Sequence, residues 1–147
     1  MISSSLNKLS KVLVNHPLRE KLENIYGGYW FKMMELSLKT FDDVIRDLLV
    51  EESKLTIEYD KIMASAQIEF EGKTNNLSQL RKYLTNTDRN IRKEAMLKIN
   101  QFFAEKEDKI DSIYDRLVHV RTDMAHKLGY KNFVELGYAR MLSLIHI

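Results

Sequence analysis

Three side chains on one stretch of this sequence have the types and spacing to do chemistry: His119, Asp123 and His126, at i, i+4 and i+7. On a helix that spacing sets two imidazoles and a carboxylate along one face, a geometry that can hold a divalent metal. The competing reading is a solvated flank beside an apolar stripe of Leu117, Val120 and Met124. A metal-bound imidazole also needs a second group to orient its ring, and no such shell is visible in the sequence. The flank is the preferred reading, so no catalytic, cofactor-binding or metal-ligating residue is assigned. The other histidines carry less. His16 precedes Pro17 and reads as a joint residue, and His146 stands alone. The chain has no His-Glu-x-x-His helix, no glycine-rich phosphate loop and no Gly-x-Ser-x-Gly elbow. It has no cysteine, which excludes disulfides, thiolate catalysis and Cys-type zinc sites and fits a reducing, cytoplasmic setting.

Two further features could bind rather than react. Tyr29-Trp30-Phe31 with Met33 and Met34 is the most apolar part of the chain. It could line a pocket or partner groove, but helical core is the commoner use of such a run. Ala66, Ile68 and Phe70 alternate with Gln67 and Glu69, the period of a strand, and an exposed strand edge can accept an extended peptide. The charge runs at Glu51-Glu52 and over 105–111 read as solvated faces.

The elements that position these residues follow from pattern. The length of 147 residues suits one ordinary domain or part of a larger protein. One proline and five glycines leave room for long helices. A net charge of +2, from 23 basic and 21 acidic residues, argues against a nucleic-acid surface. No run approaches a membrane span or a signal peptide. The expected fold is mainly α, a multi-helix array with one short β-hairpin near residues 66–77.

Ser3, Ser4 and Ser5 can cap a first helix to about Asn15, with Leu6, Leu9, Val12 and Leu13 as its stripe. A second helix is expected from Pro17, broken near Gly27-Gly28. Thr40 is expected to begin a third, with Asp42 and Asp43 in its first turn and Val44, Leu48, Leu55, Tyr59 and Ile62 on one face to Ala64. Glu71-Gly72 is the hairpin turn candidate. Ser78 can cap a short helix to Leu84, and Thr87 a long one. The long helix has its stripe at Met96, Ile99, Phe103, Ile110, Ile113, Leu117, Val120 and Met124, with Lys106 the one polar interruption. Gly129 suits a left-handed helix terminus, and Asn132 can cap a last helix.

Particular runs then say more than periodicity. ASAQIEFEGK at 64–73, NLSQL at 76–80, FFAE at 102–105, DRLV at 115–118, VRT at 120–122 and above all LGYKNFVELGYARM at 128–141 resemble the oligoendopeptidase F-type peptidases. LSLKTF at 36–41 resembles them more weakly. The resemblance implies a largely helical, thimet-like zinc metallopeptidase that cleaves short peptides in a deep channel. In that family two histidines of a His-Glu-x-x-His helix and a later glutamate hold zinc. Those residues lie downstream of the matched segment, so none carries over, and His119 and His126 do not correspond to them.

Residues 1–141 are thus expected to be a non-catalytic helical segment of a larger peptidase, with Met1 read as an internal start. Residues 142–147, LSLIHI, do not fit the family and read as an aberrant tail from a frame shift, truncated frame or foreign join. The resemblance implies zinc and short peptides for the intact enzyme and neither for this chain alone. The expected partners are the rest of the peptidase chain and, for the fragment, copies of itself, with no nucleic acid and no membrane. The rival expectation is a stand-alone helical interaction module without enzymatic activity.

Overall fold

A computed structural model describes residues 4–141, which fall into two compact units. One unit joins the residues up to Glu51 with those from His119 onward, and the other is Glu52–Val118. The described elements are seven α-helices and one two-stranded antiparallel sheet. Residues 142–147, and with them His146 and the expected tail, lie outside the described residues.

In the first unit, α1 (Ser4–Val14), α2 (Arg19–Tyr26) and α7 (Phe133–Arg140) each pack on α3 (Gly28–Lys39). Ser3 also lies outside the described residues, and α1 begins at Ser4. The second helix starts two residues later than Pro17, because His16 makes the joint. Its Nδ1 accepts the Leu18 N–H at 3.1 Å, and its carbonyl accepts the Arg19 N–H at 2.9 Å. The expected break falls at Gly27, whose φ of +85° favours glycine. Thr40 closes α3 rather than opening the next helix, its hydroxyl and N–H both donating to the Ser37 carbonyl. The cap belongs to Asp42, extended at φ −141°, whose Oδ1 accepts the Val44 N–H at 3.0 Å. A 3-10 turn at Asp43–Ile45 then leads into α4 (Arg46–Ala64).

Ile45, Met124, Ala125 and Leu136 form the core here, with Leu48, Leu49, Val120 and Phe133 packed around them. Gly129 (φ +83°) ends α6 (Arg89–Lys127) in a Schellman turn: Tyr130 N–H donates to Ala125 O and Gly129 N–H to His126 O. Asn132 caps α7 as expected, accepting the Val134 N–H at 2.9 Å.

Tyr130 Oη donates to the Lys39 carbonyl at 3.2 Å. Burial, with a smaller push from Glu135, raises its phenol above the ordinary value of 10.0. The folded state therefore holds this proton more tightly than the unfolded state does. The resulting stabilisation is complete below pH 10 and is lost as pH rises through the higher folded value. Tyr130→Phe should be about 1 kcal/mol less stable near neutrality, yet lose less stability than wild type above pH 10. Denaturant midpoints across that range check this, and parallel curves would refute it.

In the second unit the alternation holds. Ala66, Ile68 and Phe70 are buried while Gln67 and Glu69 face out. Strand β1 (Ile68–Phe70) pairs with β2 (Lys73–Asn75) in the register Phe70 with Lys73, Glu69 with Thr74 and Ile68 with Asn75. Glu71 (φ +51°) and Gly72 (φ +69°) are both left-handed, as a two-residue type I′ turn requires. Glutamate is a poor residue there, since a side chain in that region costs about 1–2 kcal/mol unless it is Asn, Asp or Gly. Glu71→Asn should therefore stabilise the chain by up to about 1 kcal/mol, raising Tm by about 2–4 °C. A thermal melt with an unchanged or lower midpoint would show that the turn is not limiting.

The short helix α5 (Leu77–Arg81) is capped by Asn76, not Ser78. Asn76 Oδ1 accepts the Gln79 N–H at 2.8 Å, and Gln79 Oε1 accepts the Asn76 N–H at 2.9 Å. A 3-10 turn, Lys82–Thr85, follows. Thr87 is likewise displaced as a cap by Asp88, which accepts the Asn90 N–H at 2.8 Å, while Arg92 donates to the Asn86 and Thr87 carbonyls.

This core is Ala66, Ile68, Phe70, Leu80, Ala95, Ile99 and Phe102, with Tyr83 edge-on to Phe70 at 5.1 Å. Along α6, Ala95 and Phe102 turn inward and the expected Met96 is 45% exposed. A small residue on the contact side lets neighbouring elements approach closely, which a ranking by side-chain size misses.

Candidate functional site

His119, Asp123 and His126 are exposed on α6. His126 Nε2 lies 3.2 Å from the Lys131 carbonyl, just beyond the Schellman turn, so one ring nitrogen already has a backbone neighbour. Among the described residues, no group of three or more His, Cys, Asp or Glu is placed to hold a metal ion.

The aromatic run divides. Phe31 is fully buried, while Tyr29 (65%) and Trp30 (43%) stay exposed, so reading the whole run as core is corrected. Gly27 restarts the helix in a new phase, which turns Phe31 and Leu36 inward and leaves the first turn of α3 outside. Tyr26 and Trp30 stand ring beside ring at 5.8 Å, and Trp30 meets Phe31 edge-on at 5.1 Å. Arg19 lies over the Phe31 ring at 5.3 Å and pairs with Glu23 at 2.8 Å and Glu35 at 2.6 Å. Both carboxylates raise the Arg19 pKa through hydrogen bonds, Glu23 most.

The α1 stripe is corrected as well. Leu6, Leu9 and Val12 face outward, and Asn7 is the buried residue of that helix. Its Nδ2 has no hydrogen-bond partner.

The hairpin is pinned from within. Asn75 Nδ2 donates to Phe70 O at 3.2 Å and to Lys73 O at 2.8 Å, and outside the turn Thr74 Oγ1 donates to the Glu69 carboxylate. Three residues a strand give a short edge for any added chain. Between α4 and α6, still within the second unit, lies an open cleft lined by Glu58, Lys61, Ile62, Lys106, Ile113 and Arg116 among others.

These elements and their order have counterparts among solved structures. One, described as an oligoendopeptidase F from Bacillus anthracis str. Ames, is 44% identical over 93% of this chain, with a TM-score of 0.89. The chain is similar to oligoendopeptidase F. A second structure described by the same name is 45% identical over 92% of the chain, with a TM-score of 0.88. PZ peptidase A, solved with an inhibitor, is 48% identical over 92%, with a TM-score of 0.88. The chain spans about a quarter of each relative: 25% of the Bacillus anthracis oligoendopeptidase F and 24% of the other two. No protein-family profile matches the sequence, and no curated protein does. No helix among the described residues is long and apolar enough to cross a membrane.

Proposed function

We propose that this chain is a non-catalytic helical part of a zinc-dependent oligoendopeptidase, forming wall and scaffold beside the channel where the whole enzyme hydrolyses short peptides. The supporting observation is the coverage: 92–93% of this chain superposes on 24–25% of its peptidase relatives. The residues in hand do not suit zinc. The sequence has no His-Glu-x-x-His, and the described residues bring no metal-binding group together. No catalytic step is therefore assigned to them. Zinc chemistry, peptide binding and a cytoplasmic location belong to this reading as properties of the parent enzyme. The test is purified chain assayed for zinc content and for peptide cleavage with and without added zinc. The expected result is neither; stoichiometric zinc with metal-dependent cleavage would overturn the proposal.

A second reading has an observation of its own. Leu6, Leu9, Val12, Ile25, Tyr26, Tyr29 and Trp30 are all at least 43% exposed, and large apolar side chains in water are what a contact surface uses. In a stand-alone interaction module these side chains would meet a partner. In a piece of an enzyme they would meet other parts of the same protein. Sedimentation analysis separates the two: a monodisperse, cooperatively folded chain with a saturable partner favours the module, and self-association favours the scaffold.

A further inference from the structure

Lys106 is the one polar residue in the α6 stripe, and its surroundings are more than packing requires. It is half-buried in the cleft between α4 and α6, a concavity of about 420 Å³, within the size range of small-ligand sites. Half-buried Ile62 supplies apolar surface there, while Ile113, only 3% exposed, closes the floor with little surface of its own. Lys61 from α4 and Lys106, Lys109 and Arg116 from α6 bring four cations to the same cleft, against the two carboxylates of Glu58 and Asp108. Glu58 is engaged by Arg116 at 4.0 Å. A lone lysine on an apolar stripe is explained by a stem lying on the core and an ammonium reaching water. That does not explain why a second helix delivers another lysine to the same cleft. Like charges around one concavity repel, and a bound anion relieves the repulsion.

We propose that this cleft binds a small amphiphilic carboxylate, with its carboxylate among Lys61, Lys106 and Lys109 and its aliphatic part over Ile62. A hydrophobic peptide C-terminus and a short fatty acid share this chemistry. The site needs only the second unit, so it stands or falls separately from the peptidase reading.

The test is calorimetric titration of the full 147-residue chain with three probes: N-acetyl-leucyl-leucine, its C-terminal amide, and octanoate. The free acid should bind saturably and the amide about tenfold more weakly, because only the acid makes charge-assisted contacts. Raising salt from about 0.05 to about 0.5 M should weaken the acid about threefold. Lys106→Met, which continues the apolar stripe, should weaken the acid about tenfold. Should that variant not fold, the exposed pair Lys61→Gln with Lys109→Gln gives the same readout. Octanoate binding as tightly as the dipeptide acid assigns the cleft to fatty carboxylates; weaker binding assigns it to peptide C-termini. Equal binding of acid and amide, wild-type affinity in the folded variants, or no saturable binding of either acid overturns the proposal.

Discussion

Phe31→Ala is expected to destabilise the chain by about 3–5 kcal/mol, the usual range for emptying a fully buried aromatic site. Phe31 is completely buried on α3, and its ring touches Trp30 on one side and Arg19 on the other. Cavity and transfer costs dominate the loss. The ring pair with Trp30 adds about 0.5–1.5 kcal/mol. The Arg19 contact adds less, because that side chain is 35% exposed. Against a total stability of about 5–15 kcal/mol, such a loss leaves little margin. Trp30 is the only tryptophan, so its fluorescence during urea unfolding reads this unit directly. Phe31→Leu, which keeps most of the volume, should cost only about 1.5 kcal/mol. A loss below about 1 kcal/mol for the alanine variant would contradict the packing described.

Leu80→Ala should have a comparable effect in the other unit, about 2–5 kcal/mol. Leu80 is fully buried on the short helix α5, in a cluster with Ile68, Phe70 and Phe102. A two-stranded hairpin is marginal by itself in water, so this cluster is what keeps β1 and β2 paired. Amide exchange at Phe70 and Asn75 should therefore accelerate in the variant more than exchange at the centre of α6. Unchanged protection in the hairpin, with the rest of the chain folded, would show that Leu80 is not its support.

The features best legible from sequence were those set by local backbone chemistry. The alternation at 66–70, the Glu71-Gly72 turn, the left-handed Gly129 and the Asn132 cap each depend on a few adjacent residues. Sequence and structure differ where two local solutions compete. Ser78 and Thr87 are reasonable caps and Thr40 a reasonable helix start, yet Asn76, Asp88 and Asp42 hold those positions. In each case a carboxylate or carboxamide oxygen one or two residues away makes the capping bond, at an N–H of its own. Side-chain burial was harder to read. Periodicity locates an apolar face, but it does not say that the same chain covers it, and α1 turns Asn7 inward with Leu6 and Leu9 out. On α6, Ala95 and Phe102 are core where Met96 was expected, because the inward arc of so long a helix is chosen by its neighbours. The cleft around Lys106 was visible only as an interruption, since its other wall comes from α4, more than forty residues earlier.

The first unit is split along the chain, and that has a consequence during synthesis. Its core unites Ile45 with Met124, Ala125 and Leu136, so α1–α3 leave the ribosome before the residues that complete it exist. The intervening Glu52–Val118 segment, about 67 residues, takes roughly 3–13 s to make at about 5–20 residues per second. Over that interval the continuous second unit can close on its own core, while Ile45 waits and the outward leucines of α1 stand in water. Chaperones that hold short apolar helices on nascent chains would find such helices in α1–α3 until Met124, Ala125 and Leu136 have been made.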